Sequence, residues 1–111
     1  LKRYCLALDL HDDPAMIAEY EHWHKPGNDR PGIKQSIRDA GITNMEIYRL
    51  GTRLFMIMDT DASFSFERKA ALDAANELVQ DWEKFVGQFQ KPVPGAKEGE
   101  KWTLMDKIFQ L

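Results

Sequence analysis

The spacing of hydrophobic positions changes several times along the chain. From Arg3 to Leu10 it alternates, with Tyr4, Leu6, Leu8 and Leu10 on one side and Arg3, Cys5, Ala7 and Asp9 on the other. A period of two is that of a strand with one apolar face. In Asp12-Asp13-Pro14-Ala15-Met16, Asp13 can cap unpaired amides, and Pro14 suits the first helical position because it has no N–H to lose. A helix is predicted from there to about His24, stopping before Pro26-Gly27-Asn28. A second is predicted from near Pro31, with Ile33, Ile37 and Ala40 at helical spacing and Gly41 placed to end it in the left-handed conformation.

Two segments, TNMEIYRL and RLFMIMDT, follow as strands joined at Gly51-Thr52 in a hairpin. The second is apolar from Leu54 to Met58, which predicts cover on both faces, a helix on one side and another surface on the other. Residues 63–87 read as helix in two pieces, broken near Ala74-Ala75-Asn76. In the second piece Leu78, Val79, Trp82, Phe85 and Val86 form one broad stripe. QKPVPGAKEGEK reads as a Pro/Gly loop and KWTLMDKIFQL as a final strand. The order β-α-α-β-β-α-α-β predicts an α+β fold, a ferredoxin-like antiparallel four-stranded sheet with helices on one face, built as a single domain over residues 1–111. Its helix-free face calls for a cover, and a homodimer meeting through it is the expectation.

Composition narrows the partners. The chain is 43% hydrophobic and 30% charged, with a formal net charge of −3. Lysines and arginines are scattered rather than clustered, so no nucleic-acid footprint is expected. No apolar run nears the ~18 residues that span a bilayer, and the N-terminus turns polar too soon for a signal peptide. A lone cysteine, Cys5, fits a reducing cytoplasm. A small neutral or weakly charged ligand is the expected partner.

The densest chemistry lies in AEYEHWHKP, residues 18–26. Each helical residue turns by about 100°, so Tyr20 and His24 stack on one face while His22 lies opposite. The two histidines therefore cannot chelate one metal from a regular helix, and no metal or other cofactor is expected. Tyr20 and His24 fit proton transfer and hydroxyl recognition, since imidazole passes protons both ways near neutrality and a phenol can donate or accept a hydrogen bond. The same spacing equally suits a half-buried packing tyrosine and a cationic helix C-terminus. Trp82 reads as core, or as an indole platform for the C–H face of a sugar.

These segments together resemble the L-rhamnose mutarotase family, small dimeric proteins that interconvert the anomers of a deoxysugar. The likeness runs through KRYCLALDL, the Tyr-x-x-x-His-x-Pro pattern of EYEHWHKP, the hairpin GITNMEIYRLGTRLFMIMDT, VQDWEKFV and the closing LMDKIFQL. It implies that His24 is the catalytic residue, that Tyr20 binds substrate, and that Trp82 is the first of two adjacent tryptophans lining a sugar site. Glu83 stands where the second belongs and could hydrogen-bond a hydroxyl instead. Met45 falls at a family tyrosine, and Arg30-Pro31-Gly32 replaces Trp-Pro-Glu. The implied reaction is cofactor-free opening and reclosure of a monosaccharide hemiacetal, with L-rhamnose or L-fucose as substrate. Two other classes fit the residues, an oxidoreductase of the dimeric α/β-barrel kind and a non-catalytic small-ligand-binding module.

Overall fold

The computed structural model describes all of residues 1–111. Strand β1 (Lys2–Leu10) leads into helix α1 (Pro14–His22). The Asp13 carboxylate accepts hydrogen bonds from the amides of Ala15 and Met16 at 2.9 and 3.2 Å, a cap that typically stabilises a helix by about 1 kcal/mol. Helix α2 (Ile33–Asp39) ends at Gly41, whose φ of +95° is the left-handed geometry expected there. Strands β2 (Ile42–Leu50) and β3 (Arg53–Thr60) form a hairpin turning at Gly51, φ +60°. Helices α3 (Phe66–Ala74) and α4 (Glu77–Gly87) are separate because Asn76 caps the second, accepting from the amides of Leu78 and Val79.

The sheet runs β2-β3-β1 and is antiparallel throughout. Its outer edge departs from expectation. In place of one final strand, two short pieces pair with β1, namely β4 (Gln90–Lys91) beside Asp9 and Leu10, and β5 (Thr103–Leu104) beside Leu6 and Ala7. The first piece lies inside the segment read as loop. After one further hydrogen bond, from the Met105 amide to the Cys5 carbonyl at 2.8 Å, residues 106–111 leave the sheet, with Ile108 and Phe109 95% and 75% exposed. An apolar alternation makes a strand only where it pairs with a neighbour, and although β1 still offers Lys2, Arg3 and Tyr4 opposite residues 106–108, no ladder forms there. Helix α1 likewise stops at His22, two residues short of the expected end, and His24 lies in the turn beyond it.

The side chains sort by sheet face. Leu6, Leu8, Leu10, Leu54, Met56, Met58 and Thr60 point to the helices and are buried. Burying a side chain such as Leu8 or Leu54 contributes roughly 1.5–3 kcal/mol. Tyr20, Val86 and Phe89 close over Leu10 and Leu54, while Ile37 and Phe64 cover a second cluster around Leu6, Ile42, Met56 and Met58. On the opposite face Cys5, Ala7, Phe55 and Ile57 stay only half-buried, so within one chain β3 is covered on one side alone. Ion pairs bracket this patch, Arg3 to Asp59 at 2.7 Å and Arg53 to Asp9 at 2.8 Å, each joining directly opposed residues of β1 and β3.

Candidate functional site

Helix α1 and the turn after it bring Tyr20 and His24 together. Their rings stack at 4.3 Å with planes 29° apart, as spacing by four predicts. The Tyr20 carbonyl, unpaired because the helix ends there, lies 2.7 Å from His24 Nδ1. A carbonyl can only accept, so Nδ1 carries the proton and Nε2 is left as the exchangeable nitrogen. The imidazole is exposed, whereas the tyrosine ring is 4% exposed and wedged on Phe89.

From α4, Trp82 also approaches the imidazole, ring centres 5.5 Å apart and planes 56° apart. It is half-buried at the margin of the core cluster, between the two roles its spacing allowed. Phe85 lies one turn on from Trp82, and the guanidinium of Arg30 sits over both rings, 4.5 Å from the Phe85 centroid and 5.5 Å from that of Trp82. Such stacking is typically worth about 0.5–1 kcal/mol at an exposed site. Trp23 packs edge-on against Phe85 at 5.7 Å and donates its indole N–H to Glu19 at 3.4 Å.

Gln90 of β4 donates its side-chain amide to the Tyr20 hydroxyl at 3.5 Å. Burial raises the Tyr20 pKa above its ordinary 10.0, and this hydrogen bond opposes the shift in part, so the phenol is neutral at physiological pH. Gln90 also lines a 240 Å³ cavity with Leu8, Lys91, Pro92, Gly99, Glu100 and Lys101. The two remaining sequence candidates lie apart. Glu83 faces a shallow depression between α3 and α4 with Lys69 and Asp73, and Met45 packs against the cluster around Leu6 and Met58. His22 is exposed on the far side of α1, and no three of the chain's His, Cys, Asp and Glu residues are grouped as metal ligands would be.

Sequence reading missed Gln90 and saw Arg30 only as a departure from a pattern. Gln90 was hidden because it sits in a segment with loop composition, where only pairing with Leu10 makes a strand. Arg30 was hidden because nothing in local spacing ties it to a helix far along the chain.

Fold and site together define a small ferredoxin-like α+β protein carrying an imidazole on an aromatic platform. The sequence matches the family described as L-rhamnose mutarotase over residues 3–111. It is 44% identical over 111 residues to an L-fucose mutarotase from Xanthomonas campestris pv. campestris, covering 100% of this chain and 89% of that protein. A UPF0734 protein of Dictyostelium discoideum is 33% identical over 116 residues, covering 99% and 90%. Among solved structures, an L-rhamnose mutarotase from Formosa agariphila superposes with a TM-score of 0.69 at 18% identity, over 100% of this chain and 99% of that one. Tetracenomycin F2 cyclase from Streptomyces glaucescens shares the fold at TM-score 0.63 and 16% identity, over 100% and 97% of the two chains. The chain belongs to the L-rhamnose mutarotase family and, with it, to the carbohydrate isomerases.

Proposed function

We propose that this protein interconverts the α and β anomers of an L-deoxyhexose, L-fucose or L-rhamnose, with His24 as the acid/base group. The observation that carries the reading is the tether of His24 Nδ1 to the Tyr20 carbonyl beside the Trp82 ring. The tether holds one nitrogen protonated in both charge states of the ring, so protons come and go only at Nε2. In the forward step protonated Nε2 donates to the ring oxygen as the bond from C1 to that oxygen breaks. The O1 proton passes to a water molecule, leaving the open-chain aldehyde. Rotation about C1–C2 and attack by the ring hydroxyl on the other face re-form the ring; the hydroxyl proton returns to Nε2 and O1 takes a proton from water. Tyr20, kept neutral by burial, serves as a hydroxyl partner for O1 rather than as a base. Trp82 offers the apolar face on which the C–H side and methyl group of the sugar rest. The 44% identity to an L-fucose mutarotase favours L-fucose between the two sugars.

Two finer points belong to the same reading. The half-buried patch of Cys5, Ala7, Phe55 and Ile57 is the surface on which a second copy of the chain packs. The free thiol of Cys5 fits a cytoplasmic protein.

Proton NMR saturation transfer on L-fucose, L-rhamnose and D-glucose tests the activity. Accelerated exchange is expected for an L-deoxyhexose, and His24→Ala should slow it about 10²–10⁴-fold, the usual contribution of a general acid/base. A folded His24→Ala protein working at the full rate would remove His24 from the mechanism, and no acceleration of any sugar by the unmodified protein would remove the activity.

A further inference from the structure

We propose that Arg30 is a substrate-binding residue that sets sugar selectivity, its guanidinium donating paired hydrogen bonds to two adjacent hydroxyl oxygens of the bound monosaccharide. The inference rests on the mutarotase reading and adds to it a residue that spacing along the chain does not reveal.

Arg30 lacks the polar partners that the paired basic groups have. Five ion pairs hold basic groups of this chain, and those of Arg3, Arg49 and Arg53 are also charge-assisted hydrogen bonds within 2.8 Å; none involves Arg30. Its neighbour Asp29 is engaged by Lys34 at 3.5 Å. No side-chain hydrogen bond of Arg30 is formed either, although the residue is half-buried rather than extended into water. What it touches is aromatic, with Cζ 4.5 Å from the Phe85 centroid and 5.5 Å from that of Trp82.

A guanidinium set over aromatic rings and bonded to no acceptor keeps its N–H donors free for a ligand. All five N–H groups lie in one plane and radiate from its edge, so contact with the two rings leaves donors available. Trp82 is the shared neighbour, with His24 at 5.5 Å on the imidazole side. A sugar resting on that indole with its anomeric centre at His24 meets the guanidinium rim at its periphery. The spacing of the fork suits two neighbouring oxygens, and the hydroxyls of a deoxyhexose offer such pairs. L-Fucose and L-rhamnose differ in configuration at C2 and C4, so a fork anchored over Trp82 and Phe85 is satisfied by one sugar and left partly unpaired by the other. Such discrimination is of the kind hydrogen-bonding sites achieve and purely apolar pockets do not.

The test compares the full-length protein with Arg30→Met, which keeps a long chain to lie over Phe85, and Arg30→Lys, which keeps the charge without the fork. Initial rates of anomer exchange are measured against concentration for L-fucose and L-rhamnose, with melting temperatures alongside. In both variants KM for the preferred sugar should rise about 10- to 100-fold, the loss expected for hydrogen bonds to a charged group. The ratio of kcat/KM for the two sugars should fall toward one while kcat changes little and the melting temperature stays within a few degrees. An active protein whose Arg30→Met form keeps its KM values and its preference overturns the assignment of Arg30 alone. A lower melting temperature with unchanged selectivity also overturns it, since that is what a packing role gives. Absence of exchange activity in the unmodified protein overturns the mutarotase reading and this assignment together.

Discussion

Trp82 touches an imidazole and a guanidinium, and it is half-exposed, so its truncation should separate binding from stability. Trp82→Ala is expected to raise KM for the sugar about tenfold while lowering unfolding free energy by less than about 2 kcal/mol, because fully buried aromatic residues lose about 3–5. Sugar titration and urea unfolding of the same variant decide it, and a loss above about 3 kcal/mol with unchanged affinity would return Trp82 to the core. The contact of Tyr20 with His24 was readable from sequence because spacing by four brings side chains together at a helix end, and the turn after His22 keeps that spacing through the bond from His24 to the Tyr20 carbonyl. Glu83 was misleading for the converse reason. One residue beyond Trp82 is a turn of about 100°, which carries it to the α3 side of the helix.

At the level of elements, Gly41 joins α2 to β2 with φ +95°, and a Cβ there would come within 2.6 Å of Ser63 Oγ and 2.7 Å of Asp61 Oδ1. Asp61 Oδ1 accepts hydrogen bonds from both the Ser63 hydroxyl and the Ser63 amide, which holds the two atoms in place. Gly41→Ala should therefore cost about 2 kcal/mol or more, read as a lower urea midpoint with unchanged slope. On the open face the hydrogen bond from Arg3, helped by its charge, holds the Asp59 carboxyl below its ordinary 3.8, with burial opposing. Because the folded carboxyl binds its proton more weakly than the unfolded one, the stabilisation is complete above pH 3.8 and fades as pH falls through the depressed folded value. Arg3→Ala should thus lower the melting temperature at neutral pH, and its difference from the unmodified protein should narrow as the pH falls below 3.8. Caps and glycine turns made α1, α2 and the α3–α4 break readable in advance, since their signals are local. The split outer edge was not, because Gln90 and Thr103 become strand only by meeting β1.

For the whole molecule, the face carrying Phe55 and Ile57 decides whether the chain works alone. If two copies meet there, Ile57→Glu should give a monomer in sedimentation velocity while far-UV circular dichroism stays unchanged, since the side chain does not face the helices. A dimer that survives the charge would place the contact elsewhere, the apolar residues Ile108 and Phe109 being next to test. The outer edge of β1 has a different consequence, one of timing. Its partners are Leu104 for Leu6 and Gln90 for Leu10, so β1 must wait for residues far along the chain before that edge is closed. Pairings so far apart in sequence are slow to form, because a long loop must close before any contact rewards it. During synthesis the hairpin of β2 and β3 can pair with one side of β1 early, while the other side stays an open template for a neighbouring chain. The rate at which residues 90–104 arrive therefore sets how long each new molecule is exposed to aggregation.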